Sequence, residues 1–241
     1  MKLSIVIPAY NEAKLLPACL ASVRKTLADC GRSGTDTEVI VCDNNSTDDT
    51  ARIAHAAGAR VVFEPVNMIS RSRNAGASAA SGDWLLFIDA DSQLSAGSLR
   101  NMLTAAASGR WVGGGCIIDL DRKPWWGILL VGLWNLLARA FRLAAGSFVF
   151  CRTDAFRAVG GFPPELAAAE ELGLSYALKL WGKPRGLGFT VLTRNPHVSS
   201  GRKFDLYTTR EFLTVLFKIA RSPRHSLRDP GVNIYLYDGR R

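Results

Sequence analysis

The chain predicts an α/β fold: a single domain on a mainly parallel, Rossmann-like sheet with helices against both faces. Three observations predict it. From residue 2 to about 107, short β-branched runs alternate four times with helix-like segments. The strand runs are apolar on both faces, as buried parallel strands must be. The polar residues collect just after the first, second and fourth runs, where an open α/β sheet gathers its ligand-binding loops.

Taken in order, KLSIVIP is the first strand and PAYNE the loop that follows it. Its apolar run is broken by Pro8, Asn11 and Glu12 before a signal-peptide core can form, so the chain is expected to be cytoplasmic. AKLLPACLASVRKTLA is the first helix, TEVIVC the second strand and DDTARIAHAAG the second helix, for which Ser46 or Asp48 is the expected cap. RVVFE leads to SRSRNAGASAA, where Ala75, Gly76, Ala77 and Ala79 let a helix approach the sheet closely. DWLLFID and AGSLRNMLTAAA complete the fourth repeat.

The second half is less regular. GRWVGGGCIIDL and GSFVFCR are strand-like and bracket a very apolar stretch from Trp125. A Gly-Gly-Phe turn follows, then a helix from about Ala168 to Trp181, a strand near GFTVLT and a last helix near DLYTTREFLTVLFKIA. The expected organisation is one domain over 1–241: a regular first half (1–107), a less regular second half (108–220) and a basic tail (221–241).

With 241 residues, 48% of them hydrophobic, the chain can bury a sizeable core. The formal charge of +9 favours polyanions. No zinc-ligand spacing, stacking platform or helix-turn-helix signal directs that charge toward nucleic acid, which is not an expected partner. The five cysteines form no C-x-x-C pair and suit free thiols in a reducing compartment.

The fourth strand delivers Asp89-Ala90-Asp91. A solvated strand-to-helix turn is one account of it. The other is an ion site, because two carboxylates at the end of a buried strand repel unless a cation lies between or beside them. Hard divalent ions take such oxygen ligands and keep positions open for water and phosphates.

The set IVIPAYNE, VIVCDNNSTDDT, SRSRNAGASAASGDWLLFIDAD, GGF and EELGLSYAL resembles family 2 glycosyltransferases of the GT-A fold, in the family's order and over roughly residues 1–200. The resemblance implies a metal-dependent transfer of sugar from a nucleoside-diphosphate donor, a UDP- or GDP-sugar, with 1–107 as the nucleotide-sugar-binding half and 108–220 as the acceptor-binding half. The implied acceptor is a hydroxyl or lipid phosphate on a saccharide or polyprenyl-linked molecule, and the implied cofactor is Mn²⁺ or Mg²⁺. It places Pro8, Tyr10 and Glu12 around the nucleotide base and ribose, with Tyr10 either stacked on the base or packed on the next helix. Asp43 would accept a hydrogen bond from the base beside Asn44 and Asn45. Arg73 and Asn74 would lie near the diphosphate or ribose, Asp89 at the ribose or the ion, and Asp91 on the metal. Gly161 and Phe162 would line the acceptor pocket.

Glu170 and Glu171 stand where the family has an E-D pair, whose second member is generally the base in inverting enzymes. Glu171 replaces the usual Asp, and both acids also suit a helix N-terminus. That departure keeps open an alternative, a nucleotide-sugar-binding scaffold without the chemistry. His197 is either a further metal ligand or a structurally bonded histidine. A nucleotidyltransferase would be expected to carry a Gly-rich phosphate loop after the first strand, which PAYNEAKLL lacks.

WWGILLVGLWNLLA, residues 125–138, is too short between Lys123 and Arg139 for a span of about 20 residues. It either covers the sheet, forms a dimer contact, or lies in a membrane interface on the cytoplasmic face through residues 125–142. In the last case the basic RSPRHSLRDP would add attraction to anionic lipid.

Overall fold

The computed structural model describes residues 1–32, 36–166 and 168–202. Seven strands form one sheet in the order β3-β2-β1-β4-β6-β5-β7. The donor-side repeats are β1 (Leu3–Ala9), α1 (Leu16–Asp29), β2 (Thr37–Asp43), α2 (Thr50–Ala56), β3 (Arg60–Phe63), α3 (Ile69–Ser78), β4 (Trp84–Ile88) and α4 (Ala96–Ala107). Then come β5 (Trp111–Leu120), α5 (Trp125–Phe141), β6 (Phe148–Arg152), α6 (Thr153–Ala158), α7 (Glu170–Gly182) and β7 (Gly188–Ser199). The expected helix at 205–220 and the basic tail lie outside the described residues.

Strand alternation divides the core. Leu86 and Ile88 of β4 face a cluster that includes Ile5, Ile7, Leu16, Val23 and Met102. Leu85 and Phe87 face the opposite cluster with Val6, Ile40, Phe156, Phe162 and Leu174. Both sides of each central strand are therefore removed from water, which is why these runs carry no polar alternation. The small residues of α3 do what their size allows: a side chain at Gly76 would overlap Val6 of β1.

The chain moves outward from β1 through β2 to β3, then returns by α3 to place β4 on the other side of β1. The reversal opens a crevice at the carboxyl ends of β1 and β4. Among the described strands β6 alone runs antiparallel, pairing Ile88 with Phe148, so its beginning lies at that same edge. The end of β7 does too, because β7 is parallel to β5. Pairing of β1 with β4 ends at Val6–Phe87, so the missing N–H of Pro8 removes no ladder bond on that side.

Among the described residues no helix is long and apolar enough to cross a membrane. α5 touches the body through Gly127, Ala138 and the Asn135 amide, which bonds both the N–H and the carbonyl of Ile118. Its other face is open and apolar, with Trp125 75%, Leu129 66% and Leu136 60% exposed. The five cysteines are free, four of them buried.

Candidate active site

The ends of β1, β2, β4, β5 and β7, the start of β6 and the first turn of α7 meet along one rim. There the first loop is stitched to the second. Asn11, at a left-handed φ of 52°, accepts from the Thr47 N–H at 2.8 Å, and its own N–H donates to Ser46 Oγ at 3.0 Å. The Glu12 N–H donates to Thr50 Oγ1 at 2.8 Å. Asp48 accepts from the Ala13 and Thr50 N–H groups, so it serves both the first loop and the start of α2, while Ser46 serves the loop alone.

Asp43 is buried and accepts from the Ser46 N–H at 3.1 Å. Asn44 holds the segment after β3, donating to Val66 O at 2.6 Å and accepting from the Met68 N–H at 3.0 Å. Asn45 has a left-handed φ of 62° and donates to Asn67 at 3.0 Å. Tyr10 stands half-buried at the β1 end.

Two ion-pair clusters dominate the rim. In the first, Arg73 of α3 donates to Glu170, to Asp89 at 2.9 Å and to the Gly146 carbonyl at 2.9 Å. Its side chain is 2% exposed and lies over the Phe162 ring at 5.3 Å. Burial lowers the guanidinium's pKa, but Asp89, Glu170 and Glu171 more than offset it and hold Arg73 charged. Glu171, beside Glu170, is pushed up to about 8: burial and the Glu170 charge raise it, and Arg73 acts in opposition.

In the second cluster, Arg202 forks Glu12 and lies 3.3 Å from Asp91. A cleft of about 220 Å³ opens beside it, lined in part by Asn11, Asp91, Gln93, Asp121 and Arg202. The end of β7 is tied to the D-x-D loop, since the Gln93 N–H donates to Val198 O at 3.0 Å. That tie brings His197 close enough to feel the Asp89 charge. His197 is fully buried against Phe148, and neither ring nitrogen has a hydrogen-bond partner among the described residues. Burial pushes its pKa down to about 4, against the pull of Asp89, so the ring is neutral.

The structure therefore gathers Glu12, Arg73, Asp89, Asp91, Glu170 and Glu171 at one rim. Others stand back from it. Asn74 bonds the Phe162 backbone with both ends of its amide, at 2.8 and 2.9 Å. Phe162 is fully buried, edge-on to Phe87. Gly161 has φ of 76°, and a side chain there would run into Asn74. This turn braces Arg73 from beneath. Sequence reasoning missed Arg202, Gly146 and Asp121. Arg202 stands in the same RNPHVSSGR segment as His197, and that proximity was the available signal.

Among the described residues no group of three or more His, Cys, Asp or Glu is placed to hold a metal ion by itself. The rim offers two carboxylates, Asp89 and Asp91, oxygen ligands of the kind a hard divalent ion shares with phosphates, and the His197 nitrogens are orphaned.

Residues 4–157 match the model described as Glycosyl transferase family 2. An uncharacterized glycosyltransferase of Mycobacterium tuberculosis is 31% identical over 206 residues, 77% of this chain and 89% of that one. Among solved structures, the mannosyltransferase PcManGT of Pyrobaculum calidifontis with GDP-Man and Mn²⁺ superposes with a TM-score of 0.69 at 17% identity, over 98% of this chain and 69% of the other. TarS 1-349 of S. aureus with UDP-GlcNAc gives 0.66 at 19%, over 84% of this chain and 59% of that one. With the sheet order, the family match and these neighbours together, the chain belongs to glycosyl transferase family 2 and has the GT-A fold.

Proposed function

We propose that the chain transfers a sugar from a UDP- or GDP-sugar to an acceptor hydroxyl or lipid phosphate, with inversion and with Mn²⁺ or Mg²⁺. The observation that carries this reading is the Arg73 bridge, which joins the D-x-D acid Asp89 to Glu170 and so sets the two halves of a substitution reaction side by side. Solved neighbours of the same fold hold UDP-GlcNAc in one case and GDP-Man with Mn²⁺ in another.

In this reading Asp91, Asp89 and His197 hold the ion, which when bound supplies Lewis-acid stabilisation of the leaving diphosphate. The first loop, with Pro8, Tyr10 and Glu12, borders the nucleoside. Asp43 and Asn45 meet the base from the second loop. Residues 1–107 thus bind the donor, and 108–220 the acceptor.

Glu171 takes the acceptor's proton. Its pKa of about 8 makes it a stronger base than an ordinary carboxylate, and near neutral pH a useful fraction remains ionised. Arg73 acts on Glu171 through Glu170 and its own charge, as a positioning residue. Gly161 and Phe162 shape the acceptor side from beneath.

α5 lies in a membrane interface on the cytoplasmic face and presents a polyprenyl-linked acceptor. The support is an open apolar face without a single carboxylate along the helix, flanked by Arg122, Lys123, Arg139 and Arg142. Both ends of α5 lead to the rim: Asp121 and Arg122 line the cleft before it, and Gly146 meets Arg73 after it.

The test is donor hydrolysis. Protein with Mn²⁺ and a panel of UDP- and GDP-sugars should release nucleoside diphosphate, and Asp91→Ala should stop it. Nucleotide binding without turnover across the panel would assign the scaffold role instead. Flotation with anionic vesicles tests the α5 reading: the wild type should float, Leu129→Glu with Leu133→Glu should not, and a salt-insensitive dimer that ignores vesicles would overturn it.

A further inference from the structure

We propose that Arg202 is an internal counter-ion for the acid pair Glu12 and Asp91, and that it must withdraw before Asp91 can take a divalent cation, so the metal enters with the nucleotide and not alone. This rests on the reading of Asp91 as a metal ligand and adds a residue that controls access to it.

Geometry carries the inference. The guanidinium forks Glu12, with Nη1 2.9 Å from Oε2 and Nη2 on Oε1, while Nη2 also lies 3.3 Å from Asp91 Oδ2. A cation is thus already present where the family's chemistry calls for one. The Glu12 and Asp91 side chains are 7% and 13% exposed, too closed for water to solvate two carboxylates fully, so a cation beside them offsets the cost of burial.

Arg202 is placed to leave, unlike Arg73. It sits three residues beyond the end of β7, outside the sheet ladder. Its N–H donates to Ser200 Oγ at 3.2 Å, and the Gly201 N–H donates to Asp121 at 2.7 Å. Arg202 itself lines the cleft of about 220 Å³, so open space adjoins its side chain.

The exchange balances charge only when an anion arrives. A bare divalent ion must dislodge a forked guanidinium from two carboxylates and leaves that guanidinium unpaired. A nucleoside diphosphate brings oxygens that a guanidinium forks as well as it forks a carboxylate. Released Arg202 then has a partner, and ion and nucleotide bind with positive coupling.

The experiment is a Mn²⁺ titration, reading free ion by its paramagnetic resonance signal, with and without UDP or GDP. Wild type, Arg202→Gln, Arg202→Lys and Asp91→Asn are compared, each checked by thermal melting. Arg202→Gln should bind bare Mn²⁺ about tenfold more tightly than wild type, and the gain in Mn²⁺ affinity on adding nucleotide should shrink by a similar factor. Arg202→Lys, which keeps the charge and loses the fork, should shift the same way by less, and it decides the matter if the Gln variant does not fold. Unchanged or weaker bare Mn²⁺ binding in the Arg202 variants, with Asp91→Asn losing the ion, overturns the counter-ion role alone. Unchanged Mn²⁺ binding in Asp91→Asn overturns the metal reading and this inference with it.

Discussion

Asp89 and Asp91 are two residues apart, and each faces an arginine, yet the two pairings differ in kind. Arg73 is sealed between β4, α7 and the start of β6, with three partners and a 2% exposed side chain. Arg202 lies at a cleft edge beyond the last strand. A charge inside the protein must stay compensated, because removing its partner leaves an ion that neither water nor neighbours can solvate. A charge at the edge can exchange partners. The contrast gives Asp89 an architectural part beside its place at the ion, binding the D-x-D loop to the helix that carries Glu170 and Glu171, and leaves Asp91 as the acid able to trade its partner for a ligand.

The largest expected effect follows from the sealed side. Arg73→Met would strand Glu170 and Asp89 without their cation, a loss of about 3–5 kcal/mol. For a chain of this size each kcal/mol lowers the midpoint by about 2–4 °C, so a thermal melt should fall by on the order of 10 °C. Arg73→Met melting with the wild type would mean that burial does not distinguish the two arginines.

Glu171→Gln comes next, because Glu171 depends on the sealed cluster for its basicity. Loss of a positioned base costs about 10²–10⁴ in rate, and kcat should fall with little change in donor affinity. The pH dependence has a definite sign. In the folded chain Glu171 holds its proton up to about pH 8, against an ordinary 4.5. As pH rises between those values the unfolded chain releases its proton first, so this group takes stability away from the fold across that window and no further above it. Melting from pH 5 to pH 9 should show the Gln variant gaining on the wild type until about pH 8. Parallel curves would place Glu171 in ordinary solvent.

Asp91→Asn should divide activity from stability. We expect turnover to drop by about 10²–10³, as when one stabilising group is removed from a developing charge, while the melt stays near wild type because Glu12 still holds Arg202. A melt as low as that of Arg73→Met would make Asp91 architectural too, and the comparison would collapse.

The same contrast marks what the sequence could reveal. β1, β2, β4 and α4 were legible because burial on both faces, or a helical period, leaves its mark within a few neighbouring residues. α6 was not legible, since six residues, TDAFRA, carry too little of a helical period. β7 was expected near GFTVLT but runs on to Ser199, because β5 pairs again with His197–Ser199 after an irregularity at Cys116–Ile118 that passes over the polar, Pro-containing RNP. Asp89, Asp91, Glu170 and Glu171 were legible because strand ends and helix starts are local features. Arg73 was expected near the diphosphate or ribose, and SRSRN contains nothing to show that its partners come from positions 89 and 170. Arg202 and Glu12 are 190 residues apart, and only the sheet order brings them together.

The smallest expected effect makes the sharpest control, because it uses the same residue type two positions away. Arg71 donates to Glu64 at 3.1 Å with its side chain 44% exposed, and that Glu64 oxygen also accepts from the Val66 N–H at 3.0 Å. With its Arg71 end in water and its Glu64 end 11% exposed, the pair contributes about 1 kcal/mol, the upper end for surface pairs. Losing the arginine leaves Glu64 with the Val66 N–H as a partner. Arg71→Met should therefore melt within about 3 °C of the wild type and leave donor hydrolysis unchanged. If Arg71→Met instead cost as much as Arg73→Met, the helix as a whole and not the sealed guanidinium would be the sensitive element. The distinction between Asp89 and Asp91 would then lose its physical basis.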